Sequence, residues 1–388
     1  MTSSTPLCFY EFFAGGGMAR LGLGERWNCL FANDHDARKA KSYTRYFGDQ
    51  DFNLGDIGAL SSAMLPGTAD LAWASFPCQD LSLTSKRHRL DGKRSGTFYK
   101  FWEIMQGLEW EGRPPGVIVI ETVPGLVTSR RGEDLHALLK VLGEGGYNFG
   151  ALEIDAERFV PQSRARIFLI AVREDKAIAP DLIRDTGPLA IPSPFHPPAL
   201  RAAVEHLPDE LAARWIWFQL PRPPVRTTQL MDLVEDPPIG VEWHRAPHTR
   251  EMLDLMSPRH RARVDAAEAS DEAKVGAFFR RTRSEKGIKK QRTEIRFDGL
   301  AGCLRAPAGG SSKQFLLFVK RNDVLSRPLS PRETARLMGL PEDYALPLSS
   351  AAALQLTGDG VAVPVVRWLS EKLLERLVGA GDHDAKNP

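Results

Sequence analysis

Residues 7–24 read LCFYEFFAGGGMARLGLG, and this stretch decides the fold. An apolar, aromatic-rich run, Leu7–Phe13, predicts a strand, and Gly15, Gly16 and Gly17 follow it directly. Glycines let the main chain turn tightly and approach a ligand, with the next helix N-terminus facing it. The spacing is not G-x-G-x-x-G, which argues against a nicotinamide or flavin oxidoreductase. Alone, the loop fits a nucleotide site or merely a tight turn.

Working outward, further strands are predicted at Cys29–Ala32, Asp70–Phe76, Gly116–Glu121, Phe149–Ile154 and Arg166–Val172. Helical stretches fall at Ala37–Phe47, Tyr99–Trp110 and Asp134–Leu142. This alternation predicts an α/β fold, Rossmann-like, with a mostly parallel sheet and helices on both faces. Ligands then bind at the carboxyl ends of the strands. Beyond residue 179 the chain turns proline-rich (IPSPFHPPAL, LPRPPVR, DPPIG) and periodicity fades, so a smaller, irregular domain is expected there. The expected boundaries are 1–185, 186–349 and a returning C-terminal segment, 350–388.

Composition narrows the class. The 388 residues are 43% hydrophobic and carry 51 basic against 49 acidic side chains, a net charge of +2. Such a chain can bury a core without disulfide or metal staples. The four cysteines form no CxxC pair, which excludes a zinc ribbon; no metal is expected. No signal peptide or membrane span is legible, so a reducing cytosol is the expected compartment and a monomer the expected state.

The near-zero net charge hides an uneven distribution. Lys274–Arg321 holds thirteen Lys/Arg against three Asp/Glu. Its centre, FFRRTRSEKGIKKQRTEIRF, sets Arg280, Arg281, Arg283, Lys289, Lys290 and Arg292 beside aromatics. A solvated loop would explain the charge, but cations interleaved with aromatics are better read as a phosphate-contacting surface. A second cluster, KRHRLDGKRSG at 86–96, includes Lys86, Arg87 and Arg89.

Chemistry gathers where strands end. Asp34, in FANDHD, stands where a carboxylate would meet a ribose hydroxyl, and Asp56-Ile57 follows Gly55 where adenine would lie. Cys78 follows a buried-looking strand directly. A core cysteine is the plain reading, but Pro77, Gln79 and Asp80 mark the strand as finished and favour a nucleophile activated by nearby cations. Glu121 closes the apolar run GVIVIE and needs a partner or a function. Strand alternation sets Arg164 and Arg166 on one face, where one of them can pair with Glu121. A thiol, a carboxylate and an arginine on neighbouring strand ends suit covalent attack on an electron-poor ring whose nitrogen needs a proton.

Together these residues resemble the DNA cytosine C5-methyltransferases. The resemblance runs through FAGGGMARLGLG, NDHD, GDI, FPCQDLS, ETVPGL, QSRARIFLIAV, RPLSPRETARLMGLP and GDGVAVPVV, in the family's order. It implies an S-adenosylmethionine-dependent catalytic domain and a target-recognition domain over the irregular region. It implies that Phe13, Ala14, Gly15, Gly17, Asp34, His35, Asp56, Ile57, Pro77, Asp359 and Val361 hold the cofactor. Cys78 would add to C6 of a flipped-out cytosine, Glu121 would bond N3 and the amine, and Arg166 would contact O2 with Arg164 in support. The loop carrying Gln79, Ser82, Lys86, Arg87 and Arg89 would close on double-stranded DNA, and a separate restriction endonuclease would share the target. Two motifs depart from the family pattern: Thr122 replaces the asparagine of E-N-V, and Asp359-Gly360 replaces the Asn-Ser of G-N-S-V. The resemblance therefore leaves two other readings, tRNA methylation and a catalytically weak DNA-binding regulator.

Overall fold

The computed structural model describes residues 6–76, 96–184, 193–285, 287–306, 313–321 and 323–379. They form two compact units, one of Met1–Ile154, Ala165–Pro223 and Val365–Pro388, the other of Asp155–Arg164 and Pro224–Pro364.

The first unit holds seven strands: β1 (Leu7–Phe12), β2 (Trp27–Asp34), β3 (Phe52–Leu54), β4 (Leu71–Ser75), β5 (Val117–Thr122), β6 (Tyr147–Asp155) and β7 (Ala165–Arg173). Their order in the sheet is β3-β2-β1-β4-β5-β7-β6. The β1–β2, β2–β3, β1–β4 and β4–β5 pairs are parallel, as the sequence predicts. β7 runs antiparallel to β5, so the sheet is mixed. Only residues 156–164 link β6 to β7, too few for the helical crossover that returns a parallel strand.

The central strands are buried on both faces, which is why they read as unbroken apolar runs. Tyr10, Phe12, Ala72, Ala74, Ile118 and Ile120 share one cluster with the apolar stripes of two helices, Gly96–Trp110 and Glu133–Glu144. On the opposite face Trp27 lies edge-on to Phe9, and its indole donates to Ser370 Oγ at 2.9 Å. Arg367 donates to the carbonyls of Leu21 and Gly22.

The units divide the chain differently from the expected boundaries. Leu200, Val204, Leu207 and Leu211 lie in the first unit's apolar cluster, and Phe149 of β6 forms a β-bridge with Trp215, so residues 193–223 stay with the seven-stranded sheet. Of the tail, only the part from Val365 joins that unit.

The second unit is more regular than its prolines imply. It contains an antiparallel sheet, β11-β10-β8-β9, built from β8 (Lys274–Glu285), β9 (Ile288–Arg296), β10 (Gln314–Lys320) and β11 (Asp323–Pro328). Phe278, Ile295, Phe315 and Leu317 pack on Met252, Leu253 and Val264 from the helices Ala246–Asp254 and Pro258–Glu268, and on Met256 between them. After β11, Ser330 and Glu333 form a capping box, and Glu333 also pairs with fully buried Arg327 at 2.6 Å.

Candidate active site

The glycine loop after β1 is set by its own geometry. Phe13 has φ +58°, Gly15 +56° and Gly17 +74°, a left-handed backbone that favours glycine. A Cβ on Gly17 would meet Phe47 Cε2 at 2.4 Å and Tyr43 at 2.9 Å, so space as well as φ demands glycine there. Asp34 ties the loop to β2: its Oδ2 accepts from Gly15 N–H at 2.8 Å and its Oδ1 from Asp36 N–H at 2.7 Å. Ala14 N–H donates to Asn33 O at 2.9 Å. His35 is exposed, with Nδ1 3.9 Å from Asp34 Oδ1.

Asn33, which the sequence reading passed over, donates from Nδ2 to Asn53 O at 3.0 Å and Gly55 O at 2.9 Å. It thereby fixes the approach to Asp56, whose Oδ1 accepts from Gly58 N–H at 2.7 Å and caps the turn beginning at buried Ile57. The ring of Phe13 lies 4.7 Å from that of Phe76, the last described residue after β4. The ends of β1, β2, β3 and β4 are therefore laced together by side chains as well as by the ladder.

Beneath the loop lies Glu11, a second group missing from the expected site. It is 1% exposed, Oε1 accepts from Arg20 N–H at 3.4 Å, and Oε2 has no hydrogen-bond partner among the described residues. Burial outweighs the nearby Arg20 charge and pushes its carboxyl up to about 8. The sequence signal was available, since an acid inside an apolar strand needs a partner.

Glu121, next to last in β5, is buried, and Arg166 of the neighbouring β7, diagonal to it in the register, sets its Nε 3.1 Å from Oε1. In the β4–β5 register Ser75 stands opposite Glu121, so the segment entering Pro77 and Cys78 leaves the sheet next to this ion pair. Thr122 is also buried, and its hydroxyl has no hydrogen-bond partner among the described residues.

Arg164 does not accompany Arg166. β7 begins at Ala165, so strand alternation does not reach Arg164. Its guanidinium instead donates to Leu304 O at 2.7 Å, Gly358 O at 3.1 Å and Gly360 O at 2.5 Å, all in the second unit. Gln162 reinforces this hub, donating to Leu337 O at 2.8 Å and accepting from Leu304 N–H at 3.0 Å. Asp359 ends the helix Ser350–Asp359 and Val361 is buried in the same unit. Pro77, Cys78, Gln79, Ser82, Lys86, Arg87 and Arg89 lie outside the described residues.

The basic stretch separates into two parts. Its aromatics are not interleaved with cations at the surface: Phe278 is fully buried in the sheet core and Phe297 packs against it. Its cations Arg281, Arg283, Lys289 and Lys290 are exposed on the β8–β9 hairpin, with Arg280 and Arg292 half-buried.

Comparison with known proteins names this arrangement. The profile described as C-5 cytosine-specific DNA methylase matches residues 7–375. The chain belongs to that family. DNA (cytosine-5)-methyltransferases use S-adenosylmethionine. Among curated relatives, the type II methyltransferase M.HpaII of Haemophilus parainfluenzae is 24% identical, covering 95% of this chain and 89% of that protein. M.HhaI of Haemophilus parahaemolyticus is 23% identical, covering 94% of each. Among solved structures, the Dnmt2 methyltransferase of S. pombe superposes with a TM-score of 0.59 at 17% identity, over 96% of this chain and 99% of that one. A putative DNA modification methyltransferase from an E. coli prophage gives 0.53 at 16% identity, over 96% and 99%. Within this methylase family fold, no described helix is long and apolar enough to cross a membrane.

Proposed function

We propose that this methylase acts on duplex DNA at a defined sequence, methylating C5 of a cytosine rotated out of the helix, with Cys78 as nucleophile. The observation that carries the reading is the buried Glu121–Arg166 pair at the carboxyl end of β5, beside the segment that leads into Cys78. A carboxylate held by a guanidinium in a buried strand end is a preorganised partner for a ring nitrogen and its neighbouring amine.

C5 of cytosine is a poor nucleophile until a thiolate adds to C6. In this scheme Cys78 forms the C6–S bond, and Glu121 hydrogen-bonds N3 and the exocyclic amine as the ring gains electron density. Arg166 fixes the Glu121 carboxylate and meets O2. Once C5 carries the methyl group, loss of the C5 proton breaks the C6–S bond and restores the ring. Extrusion of the base costs a few kcal/mol, which phosphate contacts from the basic surfaces offset.

S-adenosylmethionine supplies an electrophilic methyl group on a sulfonium sulfur. The residues present fit such a group. A Cβ added at Gly15 would meet only Lys39 Cδ at 3.9 Å, so the loop leaves space beside it, and Asp34 and Asp56 each make only one or two of the roughly four hydrogen bonds a carboxylate can accept. Asp34 with His35 would take the ribose, Asp56 with Ile57 the adenine, and Ala14, Pro77, Asp359 and Val361 the remaining contacts. Arg164 would support the site at a distance, by fixing the main chain on either side of Asp359. The division of labour between a catalytic unit and a target-recognition unit, action as a monomer at the bacterial nucleoid, and a separate cognate endonuclease complete the reading.

Base-resolution bisulfite sequencing of plasmid DNA from methylase-free cells tests it. Expression of the wild type should leave modified cytosines in one recurring context, and Cys78→Ala should leave none. Methylation retained by Cys78→Ala would overturn the mechanism.

A further inference from the structure

The β8–β9 hairpin extends beyond the sheet that anchors it. β10 pairs with β8 only from Lys274 to Phe279, whereas β9 pairs with β8 as far as Glu285. The Arg280–Thr293 pair is still held at the root, where buried Thr293 bridges Met256, and from Arg281 outward, among the described residues, the hairpin is a two-stranded ribbon with no third strand beside it. Five residues of each strand, 281–285 and 288–292, give an arm about 17 Å long. An unsupported two-stranded ribbon is marginal in water, and this one spends its charge on holding itself together.

The register sorts the arm's side chains into two faces. Arg281 stands opposite Arg292, and Arg283 opposite Lys290; Glu285 and Glu294 share that face. Here three of the four cations are tied up. Arg283 Nε lies 2.5 Å from Glu294 Oε1, Arg292 makes a two-pronged pair with Glu285 at 2.7 and 2.6 Å, and Lys290 lies 3.8 Å from the same carboxylate. On the other face Thr282 stands opposite Gln291, and Ser284 opposite Lys289. All four are exposed, and no ion pair or side-chain hydrogen bond joins them to the described residues. That face carries no carboxylate beyond Arg280.

We propose that this carboxylate-free face of the ribbon reads base edges in the major groove of duplex DNA, with Thr282, Ser284, Lys289 and Gln291 as the specificity-determining residues. The inference rests on the reading of the chain as a duplex-DNA methyltransferase and deepens it. The major groove is wide enough for a two-stranded ribbon, and its floor presents acceptors, amines and thymine methyls. Gln291 can bond the N6/N7 edge of adenine in two places and Lys289 the O6/N7 edge of guanine, while Thr282 and Ser284 offer hydroxyls and a methyl. The opposite face, with Glu285 and Glu294, would set carboxylates against the acceptor-rich groove floor. Turned outward, its long arginines reach the phosphates on the groove walls and set affinity rather than sequence. The helix Pro258–Glu268 adds exposed Arg259, and Arg263 donates to Ile295 O in β9, so further cations flank the root of the ribbon.

The test compares the two faces in the full-length protein. Thr282→Ala, Ser284→Ala and Gln291→Ala, singly and together, should leave melting temperature and S-adenosylhomocysteine binding unchanged. The methylated context in bisulfite sequencing should broaden, with about tenfold or greater loss of discrimination at one or more base positions. Glu294→Gln and Arg283→Gln, on the other face, should alter the level of methylation and leave the context alone. Where a variant methylates too little to sequence, anisotropy with a cognate and a scrambled duplex should show their affinity ratio collapsing toward one. A triple variant that keeps the wild-type context, or the wild-type affinity ratio, overturns the proposal. Wild-type protein that methylates no duplex overturns the underlying reading, and this inference with it.

Discussion

The carboxyl edge of the seven-stranded sheet and the β8–β9 ribbon use charge in opposite ways. At the sheet edge the decisive charges are few and buried: Asp34 holds the glycine loop, Glu121 holds Arg166, and Glu11 lies sealed beneath. On the ribbon the charges are many, exposed and exchangeable. A buried carboxylate is locked by its neighbours, so one substitution unbalances several interactions. An exposed arginine contributes a small, nearly additive increment. The sheet edge is therefore fixed residue by residue, while the ribbon's charge can change in small steps.

The sharpest way to break this comparison is at Glu121. Glu121→Gln should lower single-turnover methyl transfer by roughly 10²–10³-fold, the usual size of a lost preorganised group, while duplex binding changes little. Arg166→Met should also cost about 3–5 kcal/mol of stability, because it leaves the Glu121 carboxylate buried without its partner. Denaturant melts of both variants check this, and an Arg166→Met protein as stable as wild type would show the pair to be incidental.

Next comes the loop itself. Gly17→Ala places a Cβ against Phe47 and Tyr43 at positive φ and should destabilise by about 2–4 kcal/mol. A pH series on Glu11→Gln addresses the sealed acid. The wild-type carboxyl titrates at about 8 when folded, against 4.5 for the ordinary side chain. The unfolded chain therefore gives up its proton first, and rising pH favours unfolding through that window. Wild type should lose stability relative to the variant by about 1.4 kcal/mol per pH decade between those values, with the difference level below and above. Parallel stability curves would mean that Glu11 is ionised in the folded protein.

On the ribbon the effects should be smaller and should add. Changing Arg281, Arg283 and Lys290 to glutamine one at a time should weaken duplex binding stepwise. Removing each cation that meets a phosphate should shallow the log–log salt dependence by about 0.9. A slope unchanged in the triple variant would place the DNA surface elsewhere. The smallest effect is expected at Thr122→Val. Removing a buried hydroxyl that has no partner among the described residues, at constant shape, should be neutral or slightly stabilising. A loss above about 1 kcal/mol would reveal a bond to the Cys78 segment.

Much of the sheet was legible because its strands are buried on both faces. The helix Ala37–Phe47 falls where its periodicity put it, and β1, β4, β5 and β7 differ from expectation only at their ends. β3 escaped because Phe52–Leu54 is too short to show a period. The direction of β7 depends on the length of a connection, not on the strand's own residues. Side-chain direction was the harder problem: Glu121 and Arg166 could be paired from strand position, but Arg164 sits one residue outside the strand and turns to main-chain carbonyls more than a hundred residues away. The ribbon was invisible as a strand pair because both of its faces are polar, leaving no alternation to read. Phe278 and Phe279 read as part of the basic surface but belong to the sheet that carries it.

The central claim is that a strand-end thiol and the Glu121–Arg166 pair methylate cytosine C5 in duplex DNA. The most direct measurement is single-turnover transfer from S-adenosylmethionine carrying a labelled methyl group to duplex DNA and to a folded RNA, with the products resolved as nucleosides by mass spectrometry. The account predicts labelled 5-methylcytosine from the duplex with wild type, a rate roughly 10²–10³-fold lower with Glu121→Gln, and none with Cys78→Ala. Label found only in the RNA, or in duplex DNA with Cys78→Ala, would contradict it.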